Sequence, residues 1–67
     1  MDARSELGAR IRELRDESRL SQEELAHRAT IHVTYLSGLE NGKRNPSLLV
    51  LDRLAKALKV TIGDLFD

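Results

Sequence analysis

Two short amphipathic segments, separated by about three residues, constrain this chain more than anything else in it. Ser21-Gln22-Glu23-Glu24 carries the capping-box pattern: a serine hydroxyl can accept from the third helical amide while a glutamate three residues on reaches back. A helix is therefore expected from Gln22 to near Thr30, with Leu25, Ala26 and Ala29 inward and small enough to let a neighbouring helix come close. Ile31 sits in the connection. From Val33, Leu36 and Leu39 mark the inner side of the next helix, which runs to about Glu40 or Asn41. Helices joined so tightly must cross steeply, and one of them is left standing proud, free to enter a groove.

The flanking segments complete an all-α chain. Leu7, Ile11 and Leu14 form one stripe of a helix over residues 4–19, with charged residues on its other faces. No glycine stops that helix; a new start signal at Leu20-Ser21 does. Asn41-Gly42 ends the third helix, because Gly42 can adopt the left-handed conformation of a helix terminus, and Lys43-Arg44-Asn45-Pro46 reads as a turn. Ser47 can cap a fourth helix over 48–59 that turns Leu51, Leu54, Ala55 and Leu58 inward. Thr61-Ile62-Gly63-Asp64 repeats the capping pattern ahead of Leu65-Phe66 and predicts a fifth, very short helix. The expectation is one compact five-helix domain spanning 1–67, with its helix-turn-helix at the second and third helices.

Composition narrows the function. Sixty-seven residues leave no room for a second domain, and a chain this short buries only about 60% of its unfolded surface, so stability needs a supplement. With no cysteine and two histidines neither a disulfide framework nor a metal cage can supply it, and self-association is the remaining device. A formal charge of zero argues against broad charge-driven adhesion, so a polyanion must be met locally. The local surplus is Lys43 and Arg44 against Glu40. The longest apolar run is Leu48–Leu51 and no apolar leader follows Met1, so a cytoplasmic protein without a membrane segment is expected. His27 and His32 flank a turn with no thiol and no facing carboxylate pair, which predicts no enzyme activity, no metal, no cofactor and no small-molecule ligand.

Leu20-Ser21-Gln22-Glu23-Glu24-Leu25-Ala26, Tyr35-Leu36-Ser37-Gly38-Leu39-Glu40-Asn41-Gly42-Lys43-Arg44-Asn45-Pro46-Ser47, Leu54-Ala55-Lys56-Ala57-Leu58 and the ending from Val60-Thr61 to Leu65 together resemble the Xre, or lambda-repressor-like, helix-turn-helix family. Within it, the stretch Thr34–Glu40 is most similar to controller proteins of restriction-modification systems. The resemblance implies a third helix seated in the major groove of double-stranded DNA, with Val33, Thr34, Tyr35, Ser37 and Gly38 toward base edges. Thr34 and Ser37 can exchange hydrogen bonds there, and Val33 can pack on a thymine methyl. The family's strong readers, Arg, Asn and Gln, are missing from that face, so specificity is expected to lean on methyl contacts, Arg44 and DNA shape.

Phosphate contact is expected from Gln22, at the positive end of its helix, from Asn41, Lys43, Arg44 and Asn45 beyond the recognition helix, and from His32, which otherwise caps that helix. The resemblance also implies a largely buried Arg15–Glu40 bridge. Ile62, Leu65 and Phe66 follow a helix already committed to the core, and these three are expected to form a homodimer face, with the dimer on a pseudo-palindromic operator. The alternative is a protein-interaction helical module, such as an antitoxin, in which DNA contact is incidental; the neutral net charge is its support.

Overall fold

The computed structural model describes residues 2–67. Four α-helices follow in order, α1 (Ala3–Glu17), α2 (Gln22–Ala29), α3 (Val33–Glu40) and α4 (Leu48–Leu58), and a 3-10 turn spans Gly63–Phe66. The expected fifth helix is thus corrected to one 3-10 turn. Thr61 and Asp64 do exchange their capping bonds, 2.9 and 3.1 Å, but the segment closes by i to i+3 bonds from Asp64 and Leu65, the tighter pattern that short pieces adopt.

Side-chain oxygens start three of the helices. Asp2 accepts from the Ser5 amide at 2.9 Å, Ser47 accepts from the Val50 amide at 3.2 Å, and Ser21 and Glu24 form the full reciprocal box at 3.0 and 2.9 Å. Helix ends are closed differently from what glycine placement suggests. Gly42, at φ +73°, finishes α3, but Arg19, Thr30 and Lys59 adopt the left-handed conformation at φ 58°, 59° and 60° to finish α1, α2 and α4. Each of these turns carries the same pair of bonds, for example Leu20 N–H to Arg15 O at 3.1 Å and Arg19 N–H to Asp16 O at 3.0 Å. The apolar residue that follows is drawn inward: Leu20 is buried, and Ile31 and Val60 pack against the core. That tertiary contact offsets the roughly 1–2 kcal/mol a non-glycine residue spends in the left-handed region.

The core lies where α1 crosses α3 and α2 packs on both α3 and α4, with Ile11, Leu25, Leu36, Leu39, Leu54 and Leu65 fully enclosed. The α1–α3 crossing is unusually close. A Cβ on Gly8 would stand 2.2 Å from the Leu39 carbonyl oxygen and 2.7 Å from that of Glu40, so only glycine fits. This crossing sets the depth at which the end of α3 sits against α1. No helix among the described residues is long and apolar enough to cross a membrane.

Candidate nucleic-acid interface

α3 turns Leu36 and Leu39 into the core, which forces the intervening positions outward. Val33 and Thr34 are exposed, whereas Tyr35, Ser37 and Gly38 are half-buried, Tyr35 because its ring packs partly on the core. Gly38 is covered from outside by the loop: a Cβ there would stand 2.8 Å from Cγ of Arg44 and 3.4 Å from its Nε. The missing side chain is a slot in which the Arg44 stem lies across α3. Gly38 therefore leaves room for the Arg44 side chain.

His32 precedes α3 with an exposed ring and makes no side-chain capping bond, so its capping role is not realised. Lys43, Arg44 and Asn45 are exposed beyond Gly42. Asn41 is exposed but anchored, donating from Nδ2 to the Ser37 carbonyl at 2.9 Å.

Beneath this surface lies one buried charge cluster. The Glu40 side chain is 0% exposed, and Arg15 grips both its oxygens, Nε to Oε2 at 2.7 Å and Nη2 to Oε1 at 3.1 Å, while its Nη1 donates to the Leu20 carbonyl at 2.8 Å. Gln22 donates from Nε2 to the same Oε1 at 2.9 Å, and Arg12 approaches it at 3.4 Å. Burial pushes the Glu40 carboxyl up, but the bonds from Arg15 and Gln22, the Arg15 charge and the weaker Arg12 bond outweigh it and hold the carboxyl below its usual value. The Glu40 bond raises the Arg15 guanidinium in turn, against its burial.

The cluster corrects the picture of Gln22. Its side chain is half-buried and points at Glu40, so what it offers outward is the second amide hydrogen and the backbone N–H groups of the first turn of α2. Gln22 and Asn41 both reach this cluster, Gln22 through Glu40 and Asn41 through Arg12. Sequence reasoning missed Arg12 altogether. Its spacing on α1 marks only an outward position, and the groups it meets are 28 and 29 residues away.

Of the expected dimer face, Leu65 is corrected to a core residue. It is 0% exposed because the 3-10 turn folds it against α1. Ile62 is half-buried, and Phe66, 62% exposed, shares a hollow with Ala3, Leu7, Pro46 and Leu51. Leu48 and Leu49 at the start of α4 are also exposed, at the head of the apolar run Leu48–Leu51.

α2 and α3 pack on each other across a three-residue connection, Thr30 to His32, and the helix-turn-helix family model matches residues 11–65. The chain belongs to the helix-turn-helix family. This helix-turn-helix protein is 43% identical over 61 residues to control protein C.BamHI of Bacillus amyloliquefaciens, a match that covers 90% of this chain and 75% of that protein. It is 47% identical over 58 residues to the HTH-type transcriptional regulator DdrOP3 of Deinococcus deserti, covering 87% of this chain but 45% of that regulator, so the chain spans under half of that protein's length. Among solved structures it is similar to the restriction-modification controller protein C.AhdI from Aeromonas hydrophila, with TM-score 0.91, 42% identity and coverage of 92% and 94% of the two chains. It is also similar to SinR, a master regulator for biofilm formation solved in complex with DNA, with TM-score 0.85, 37% identity and coverage of 91% and 98%.

Proposed function

We propose that this helix-turn-helix protein is a cytoplasmic, sequence-specific regulator of transcription that binds double-stranded DNA as a homodimer and has no enzymatic activity. The whole span 1–67 acts as one domain. The observation that carries this reading is the α3 face: Val33 and Thr34 stand clear, Tyr35 and Ser37 are partly exposed, and the chain on either side of α3 carries the exposed polar residues His32, Asn41, Lys43, Arg44 and Asn45, with Gln22 at the start of α2. Val33, Thr34, Tyr35 and Ser37 address base edges and the surrounding groups address phosphate, with Arg44, laid across Gly38, able to reach either. Ile62 and Phe66 form the apolar part of the dimer face, and two-fold symmetry then places half-sites about one helical turn, roughly 34 Å, apart. Similarity to the restriction-modification controller protein C.AhdI makes restriction-modification genes the first candidates for control.

Selection of bound sequences from random duplex DNA tests the reading directly. A two-fold-related motif is expected, and affinity for it should fall steeply with salt as counterions are released from several phosphates. Recovery of no motif, together with a flat salt response, would refute it.

A further inference from the structure

Arg12 projects from α1 with its side chain 50% exposed, and its guanidinium bridges two elements: Nε lies 3.4 Å from Glu40 Oε1 and Nη2 lies 3.5 Å from Asn41 Oδ1. Both distances are at the outer limit of a hydrogen bond, so the group is held in place without its donors being used up. Glu40 does not need it. That carboxylate already has the closer, buried Arg15 as its countercharge and Gln22 as a further donor.

Among the acids that share its hollow, Glu13 pairs with Arg10 and Asp16, at 3.6 Å, with Arg15, while Glu17 also lines it. Two guanidiniums thus converge on one buried carboxylate, and Arg12 is the more exposed of them. Gln22 shares the same Oε1, and with one amide hydrogen given to Glu40 the second remains, next to the backbone amides of Gln22 and Glu23, the Glu24 amide being bonded to Ser21 Oγ. Asn41 spends Nδ2 on Ser37 and turns Oδ1 toward Arg12.

We propose that Arg12, Gln22 and Asn41 form a single cradle for one DNA phosphate, in which Arg12 supplies the charge, Gln22 supplies donors, and Glu40 and Asn41 position them from below. This rests on the DNA-binding reading above and adds to it a backbone contact contributed by α1, outside the helix-turn-helix. Glu40 is a positioning residue here: fully enclosed, it orients the Gln22 amide and fixes Arg12 at the edge of the cradle.

Fluorescence anisotropy over about 50–300 mM salt, on the selected duplex and on a scrambled one, tests the proposal with wild type, Arg12→Gln and Arg12→Lys. Arg12→Gln should weaken binding to both duplexes alike, by about 10-fold near 0.15 M salt, and make the slope of log affinity against log salt shallower by about 0.9, while the thermal midpoint stays near that of wild type. Arg12→Lys should restore the slope. In wild-type protein the Arg12 Nε–H resonance should shift as duplex is added. An unchanged slope in Arg12→Gln with a lowered thermal midpoint would make Arg12 a structural residue only, and an unmoved Nε–H resonance at saturating duplex would equally overturn the cradle. Wild type binding no duplex would overturn the regulator reading itself, an outcome separate from failure of Arg12 alone.

Discussion

Gly8→Ala probes the contact on which the placement of α3 depends. Its Cβ would lie 2.2 Å from the Leu39 carbonyl oxygen, whereas ordinary contact begins near 3.4 Å, so α1 and the end of α3 must separate by about 1.2 Å. The opposing atoms are backbone, at 2.7 and 2.9 Å for the Glu40 carbonyl as well, and cannot swing aside as a side-chain tip could. Overpacking of this kind costs about 1–3 kcal/mol, and alanine recovers roughly 1 kcal/mol through helix propensity. Separation also draws Glu40 from Arg15, now 2.7 Å away, and full rupture of a buried pair costs about 3–5 kcal/mol. A net loss of about 2–4 kcal/mol is expected. For a domain of this size that lowers the thermal midpoint by at least about 8 °C, at roughly 4–8 °C per kcal/mol. Helical circular dichroism followed through thermal and urea unfolding measures it, with Gly63→Ala as control, since a Cβ there meets only Thr61 Oγ1 at 3.6 Å. A Gly8→Ala protein as stable as wild type would refute the close-crossing argument.

Gly38→Ala should leave the fold at least as stable, by up to about 1 kcal/mol, because the opposing atom belongs to the flexible Arg44 side chain, yet change the preferred DNA sequence by displacing that arginine; unaltered selection results would show that the slot has no role in recognition. Thr30→Gly should raise the thermal midpoint by several degrees, since a β-branched residue at φ 59° is strained by about 1–2 kcal/mol, and a lowered midpoint would count against that strain. For Glu40, the folded carboxyl titrates below the ordinary value near 4.5, so its stabilising effect is complete above that pH and is lost as pH falls through the lowered value. Carboxyl chemical shifts across an acid titration should place its midpoint under 4.5, and a midpoint above it would mean that burial has prevailed over the Arg15 and Gln22 bonds. Phe66→Ala should weaken self-association at low micromolar concentration by sedimentation, and a fully dimeric variant would move the interface elsewhere, with exposed Leu48 and Leu49 the next surface to test.

Local chemistry is legible in this sequence, and remote packing is not. α2, α3 and α4 begin at Gln22, Val33 and Leu48, where cap residues and apolar spacing place them, because those signals lie within four residues of the boundary. α1 ends at Glu17, two residues short of its pattern, because Arg19 turns left-handed to send Leu20 into the core, which no glycine announces. Leu65 reads as surface until the 3-10 turn is seen to fold it back, while Leu48 and Leu49, outside the inward stripe of Leu51, Leu54, Ala55 and Leu58, stand exposed. Gly8 looks like a weak residue in a helix; its reason sits in the backbone of Leu39 and Glu40, more than 30 residues on. The pairing of Arg15 with Glu40 is implied by family resemblance alone, and the gathering of Arg12, Gln22 and Asn41 around that pair follows only from how α1 crosses α3.

The central claim is that the outward face of α3 meets base edges in the major groove. Amide chemical-shift mapping during titration with the selected duplex tests it most directly. The account predicts that the largest changes fall on Val33–Ser37, on the first-turn amides of α2 from Gln22, and on Asn41–Asn45. Changes gathered instead around Leu48, Leu49 and Phe66, with Thr34 and Ser37 unmoved, would contradict it.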